Sequence, residues 1–243
     1  MSKTTTKCYS SWFDTPFYHI LYKDRDHKEA RLFMSKLTKY LKITKGVRVL
    51  DLACGRGRHS IYLSTLGYKV TGADLSENSI AYAKKFENKN LTFMVHDMTQ
   101  PTGKDFDTIL NLFTSFGYFE KEEDNLNTLK SIKKDLKPGG RAVIDFMNVH
   151  FVSKGLVREE VKVVDKIEFH IKRWIKNGFL YKNIRFKIED ENYDFTETVK
   201  MITLEHFQKY ATKSGLEIID TFGNYNLDRF YEKCSERLIV IFK

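Results

Sequence analysis

VRVLDLACGRGRHSIYL, residues 47–63, decides how this chain is built. Residues 47–52 form a short apolar run rich in branched side chains, which reads as a buried strand. Two glycines one residue apart follow, Gly55 and Gly57, and then apolar residues return at helical spacing from His59 to Leu66. A strand that ends in an acidic residue, a glycine-bearing turn and a helix together make a seat for a nucleotide-like cofactor, because glycine lets backbone and ligand come close. A GxG pair alone is weak. Its strength comes from the next two strand ends, where Asp74 falls 23 residues after Asp51 and Asp97 follows a third strand at 91–95. Acidic residues at those ends are placed to accept from ribose hydroxyls.

Outward from this stretch, strand and helix alternate. Residues 24–41 carry Ala30, Phe33, Met34, Leu37 and Leu41 at helical spacing, with Lys and Arg opposite. Strands are predicted at 68–73, 91–95, 106–111 and 141–146, and helices at 77–86, with Ser76 as N-cap, and at 121–136. Lys137-Pro138-Gly139-Gly140 is expected to end the last helix and separate it from the following strand. Such alternation implies a parallel sheet covered on both faces. The pattern changes over 157–199, where VKVVDKIEFHIKRWI and FLYKNIRFKIE alternate with period two around Asn177-Gly178, a type I′ hairpin signal. A helix at 204–214 stopped by Gly215 and strands at 216–222 and 236–242 complete the chain. The organisation expected is an N-terminal helical segment (1–45), a cofactor-binding core (46–156), an antiparallel insert (157–200), and a C-terminal helix with two last strands (201–243).

The chain has 243 residues, 42% hydrophobic and 14% aromatic, with three Pro. That is enough to bury one sizeable core, which excludes disordered and low-complexity classes. No run reaches the roughly 18 apolar residues of a membrane span, and the opening MSKTTTKCYSSWFD lacks a signal-peptide core, so a cytoplasmic location is expected. Cys8, Cys54 and Cys234 form no CxxC pair, and neither disulfide nor metal is expected. The net charge of +9 is uneven: residues 1–48 hold 11 Lys/Arg against 4 Asp/Glu, and the rest is nearly balanced. The basic N-terminus reads as the solvated face of a Lys-rich helix rather than a grip on phosphates.

With these residues in register, the sequence resembles the class I S-adenosylmethionine-dependent methyltransferases over about residues 46–147. VLDLACGRG matches the family's hhDhGxGxG motif with Ala53 in place of the first glycine, and alanine is expected to keep strongly positive φ out of that position. The resemblance implies an α/β, Rossmann-like, seven-stranded, mostly parallel sheet with helices on both faces, plus the antiparallel insert. It implies S-adenosylmethionine as cofactor and S-adenosylhomocysteine as product. Gly55 and Gly57 would pass beside the methionine portion, and Asp51 would order the loop or reach its amino group. Asp74 would take the ribose hydroxyls, with Leu75 against adenine. Asp97 and Met98 would lie at the adenine ring, and Asn111 and Leu112 beside the transferable methyl.

A dehydrogenase fits less well, because Ser60 stands where GxGxxG wants a third small residue. Cys54 inside the glycine loop is read as packing rather than nucleophile, and His59 and His96 as packing or capping residues. Tyr118 and His150 are the candidate catalytic residues on the acceptor side. Phe113, Phe116, Tyr118 and Phe119 fall in the loop after the fourth strand, where open parallel sheets bind ligands, with core filling as the competing reading. No Asn-Pro-Pro-Tyr-like segment follows that strand, and no Pro-Cys pair occurs, which argues against nucleobase targets. Trp12, Phe13, Phe17, Tyr18 and Tyr22 are read either as a lid over the cofactor or as a stitch to the sheet. Phe169, Trp174, Phe179, Tyr181 and Phe186 of the insert are expected to wall an apolar acceptor pocket. The expected acceptor is therefore a small molecule, with no membrane or nucleic-acid partner; an RNA or protein methyltransferase and a noncatalytic binding module are the rivals.

Overall fold

The computed structural model describes residues 12–23 and 27–243. Strands β1 (Arg48–Leu52), β2 (Lys69–Asp74), β3 (Leu91–Val95), β4 (Phe106–Asn111), β5 (Leu136–Met147), β10 (Ile218–Phe222) and β11 (Arg237–Phe242) form one sheet in the order β10-β11-β5-β4-β1-β2-β3. Neighbours from β5 to β3 run parallel, and β11 is antiparallel to both β5 and β10. That reversal follows from the chain. No helix lies between β10 and β11, and without a crossover element a returning strand must pair antiparallel. Chain order reverses between β1 and β4, which opens a crevice at the carboxyl ends of those strands.

The sheet is buried on both sides by period-two alternation. Leu238, Val240 and Phe242 of β11 face one core with helices α5 (Glu122–Asp135) and α7 (Leu204–Ser214), while Ile239 and Ile241 face the other. That second core takes α2 (His27–Tyr40), α3 (Arg58–Thr65) and α4 (Glu77–Ala83) through Phe33, Leu37, Leu63 and Ile80. Ser76 caps α4, its side chain accepting from Ser79 N. One expectation is corrected here. Lys137-Pro138-Gly139-Gly140 does not separate helix from strand but lies within β5, whose pairing with β4 jumps from Phe106↔Leu136 to Thr108↔Arg141. The four residues bulge outward, and Gly139 turns them at a φ of +78°.

Residues 159–200 form a separate antiparallel sheet, β6 (Glu159–Val164), β7 (Ile167–Lys176), β8 (Phe179–Ile188) and β9 (Glu191–Lys200). Asn177 and Gly178 turn β7 into β8, both at positive φ (51° and 76°), as a type I′ turn demands. The short helix α1 (Pro16–Leu21) packs on this sheet. Trp12 and Leu21 are buried with Phe169, Ile171, Ile184 and Phe186 in a third apolar core. The N-terminal aromatics are thus stitched to the insert rather than to the main sheet. Helix α6 (Val149–Lys154) links β5 to the insert. No helix among the described residues is long and apolar enough to cross a membrane.

Candidate active site

A cavity of about 1110 Å³ lies at the carboxyl ends of the parallel strands. This exceeds the roughly 300–1,000 Å³ typical of a single-ligand pocket, so it has room for a cofactor beside an acceptor. Its floor is the glycine loop. Ala53, Gly55, Asp74, Leu75, Asp97, Met98 and Leu112 all reach the wall, from the ends of four strands, β4, β1, β2 and β3, that the sheet order places side by side.

The loop is held by backbone and carboxylate together. Cys54 N donates to Ala73 O at 3.0 Å, Gly57 N donates to Cys54 O at 3.0 Å, and Gly55 N donates to Asp74 Oδ2 at 2.7 Å. The other Asp74 oxygen accepts from Ser76 N at 2.8 Å. Asp51 is buried and accepts from Ser60 Oγ at 2.6 Å. Burial raises the pKa of both carboxylates, Asp51 to about 6. Two desolvated carboxylates beside an open glycine, with nothing within 4 Å of where a Cβ on Gly55 would stand, fit a ligand that brings hydroxyl donors and positive charge. S-adenosylmethionine has both.

Several predicted residues take other roles. Ala53 adopts a φ of +62° despite its methyl group, against expectation, because the Cys54 and Gly57 bonds over-determine the turn. Gly57 does not reach the cavity. A Cβ there would stand 2.5 Å from the Phe93 ring, so this glycine serves helix-to-sheet packing. Asn111 is fully buried behind the wall, its Nδ2 donating to Leu52 O at 3.0 Å and tying β4 to β1 at the switch point. His150 lies away from the cavity, half-exposed and 2.9 Å from Glu232. Tyr118 lies on the wall, in edge contact with Phe13 at 5.1 Å.

The aromatic loop after β4 divides. Phe113, Tyr118 and Phe119 line the cavity, whereas Phe116 fills the core against Phe207. His59 stacks on Phe113 at 4.7 Å, and His96 Nε2 lies 2.8 Å from Gln100 O. Asp97 holds its own turn through Thr99 N and Oγ1, both at 2.9 Å. Cys54 is buried with its thiol pKa pushed up by burial and by Asp51 and Asp74, which fits packing and not a thiolate; Cys8 lies outside the described residues.

The insert aromatics overturn an expectation. Phe169 and Phe186 are buried in the third core, Trp174 stacks on Tyr181 at the surface, and none of the five lines the cavity. Apolar rings on this sheet cover one another and α1 instead. The roof comes from Phe13, Asp14, Tyr18, Tyr22 and Glu197. Sequence reading missed Ser60, Asp14 and Glu197. Only Ser60 left a signal, as a small donor one helical turn beyond the glycines.

Residues 49–140 match the family model described as "Methyltransferase domain". A methyltransferase of Bacillus subtilis (strain 168) is 39% identical over 102 residues, which are 40% of this chain and 41% of that relative, so the chain spans less than half of its length. A methyltransferase of Geobacillus sp. (strain WCH70) is 30% identical over 251 residues, covering 98% of this chain and 99% of that one. Among solved structures, an S-adenosylmethionine-dependent methyltransferase of Clostridium acetobutylicum superposes with a TM-score of 0.80 at 22% identity, over 97% of this chain and 98% of that one. The sugar N-methyltransferase KedS8 of Streptoalloteichus sp. does so with a TM-score of 0.75 at 15% identity, over 100% and 94%. With an end-to-end relative at 30% identity and the glycine loop and strand-end carboxylates gathered on one cavity, this chain belongs to the class I S-adenosylmethionine-dependent methyltransferases.

Proposed function

We propose that the protein transfers a methyl group from S-adenosylmethionine to a small-molecule acceptor. The observation that carries this reading is the roof. Residues of the N-terminal segment and Glu197 partly cover the cavity floor, which leaves a recess whose wall carries eight Phe and Tyr rings and more carboxylates than Lys and Arg, and not an open basic track. The sugar N-methyltransferase of similar fold supports a small acceptor.

Bound S-adenosylmethionine supplies an electrophilic methyl group on a sulfonium. The chain's part is to align the acceptor in line with the carbon–sulfur bond and to keep water out. In this reading Asp74 holds the ribose hydroxyls, Asp97, Met98 and Leu75 bracket the adenine, and Ala53, Gly55 and Asp51 receive the methionine end. Leu112 packs beside the methyl, and Tyr118 faces the acceptor. Gly57 and Asn111 act from behind the wall, by fixing the loop and the strand ends. An RNA or protein target would need the acceptor side to open.

Calorimetry with S-adenosylmethionine and S-adenosylhomocysteine, followed by a turnover screen against a metabolite extract, tests the proposal. Binding of both, with turnover by a low-molecular-weight fraction, is the expected result. No binding at millimolar ligand would sink it. Turnover restricted to RNA or protein fractions would select that rival, and binding without turnover in any fraction would select the noncatalytic module.

A further inference from the structure

Among the described residues, Glu197 is the single contribution of the four-stranded sheet to the cavity wall. It is 8% exposed, a costly place for a carboxylate. Trp12 Nε1 and Tyr22 OH both donate to its Oε1, at 2.7 and 2.9 Å. Its Oε2 has no hydrogen-bond partner among the described residues; Lys182, opposite it on β8, donates its Nζ to Tyr22 OH and lies 4.5 Å over the Tyr22 ring, on the anchored side of the carboxylate. One oxygen is therefore anchored from behind while the other remains available to a ligand. The rings beside it form a continuous series. Phe13 meets Tyr18 and Tyr118 at 5.1 Å each, and Tyr18 meets Tyr22 at 4.9 Å, all four on the cavity wall.

A fixed carboxylate among aromatic rings discriminates between ligand classes. An ammonium gains a charge-assisted hydrogen bond and attraction to the ring faces. An alcohol keeps a hydrogen bond to the carboxylate but brings no positive charge to balance it or to sit on the rings, and an acid is repelled. We propose that Glu197 is the acceptor-recognition residue and that the acceptor is an amine, a reading that rests on this cavity being the methyl-acceptor site. The amine arrives as the ammonium, hydrogen-bonded to Glu197, and gives one proton to solvent. The freed nitrogen lone pair then forms the new carbon–nitrogen bond as the carbon–sulfur bond breaks with its electron pair remaining on sulfur. The product leaves as a methylated ammonium.

Wild-type protein and Glu197→Gln are compared on a panel of alkylamines, arylalkylamines and amino sugars, each with its alcohol counterpart, by S-adenosylhomocysteine formation. The glutamine keeps a side-chain oxygen for Trp12 and Tyr22 and removes the charge. Binding of the same amines to protein loaded with S-adenosylhomocysteine is followed by NMR. The expected result is turnover of amines and not alcohols. Glu197→Gln should raise the KM for the amine and weaken its NMR-detected binding by roughly 10- to 100-fold, with cofactor affinity unchanged. Turnover of no amine, equal turnover of alcohols, an unchanged KM in Glu197→Gln, or a parallel loss of cofactor binding in that variant would overturn the inference. Failure of the wild type to bind S-adenosylmethionine would instead overturn the methyltransferase reading beneath it.

Discussion

Ala53 holds a left-handed φ of +62° that costs a residue with a Cβ roughly 1–2 kcal/mol. Ala53→Gly relieves that strain and gives back part of it through the more mobile unfolded chain, so stabilisation by about 0.5–1 kcal/mol is expected in urea unfolding. No gain would mean that the loop is not strained there. Asp51 carries the opposite kind of burden. Its pKa rises from 3.8 to about 6 on folding, because burial disfavours the charge more than Ser60 favours it. The folded state then holds the proton more tightly than the unfolded chain, so this group's contribution makes the ligand-free protein more stable near pH 4 and less stable as pH rises through 6. The difference is on the order of 2–3 kcal/mol. Asp51→Asn should flatten that part of the stability profile, and an unchanged profile would remove the assignment. Asp74→Ala should weaken S-adenosylmethionine by roughly 100-fold in calorimetry, since it removes the carboxylate proposed to take the ribose hydroxyls together with the anchor of Gly55 N. Cys54→Ala, which removes packing alone, should change it far less, and equal effects would count against Asp74 as the ribose site.

At the scale of elements, the loop after β4 and the segment before α1 shape the cavity by different means. Phe113 and Thr114 both adopt left-handed φ, 58° and 60°, and both line the cavity. They are held by Asp145 of β5, fully buried, which accepts from Phe113 N at 2.8 Å and from Arg237 Nε at 2.8 Å, while Arg237 also donates to Thr114 Oγ1. Removing one partner of such a pair strands the other's charge. Arg237→Met should therefore destabilise the fold by about 3–5 kcal/mol in denaturant unfolding, and a loss below 1 kcal/mol would show that the pair is not what pins the loop. The N-terminal segment is latched by Asp14, whose carboxylate accepts from Ser76 Oγ and from Asn78 Nδ2, the latter at 2.8 Å. This latch crosses from the roof to the start of α4, directly beside the strand end that carries Asp74.

Over the whole molecule, three apolar cores do separate work. Two clamp the parallel sheet between helices, and the third joins the N-terminal segment to the antiparallel sheet, so the roof's apolar burial comes from the insert while its tie to the floor is the polar latch of Asp14. The insert's strands interleave both signs of charge, with ion pairs such as Arg173–Glu160 and Arg185–Asp194 crossing between them. That surface offers no sustained positive track. RNA or DNA binding measured by anisotropy should accordingly be weak and fall steeply between about 50 and 200 mM salt. Tight binding that survives physiological salt would favour the nucleic-acid rival.

Residues 47–63 with Asp74 and Asp97 were enough to locate the cavity floor, because a glycine loop and strand-end carboxylates are local patterns whose neighbours follow from strand–helix alternation. Asn177-Gly178 was legible for the same reason, since a two-residue turn is specified by its own backbone preferences. The bulge at Lys137–Gly140 was not, because whether Pro and Gly end a helix or arch out of a strand depends on the partner strand's register. Nor was the roof. Glu197 sits in an alternating strand like its neighbours, and only the packing of Trp12 and Tyr22 against β9, across more than 170 residues of sequence, sets its carboxylate on the cavity. The sequence alone determined the cofactor family through short-range pattern. The roof of the cavity was decided by tertiary structure, because its residues meet the rest only through long-range burial of aromatic side chains whose partners no local spacing encodes.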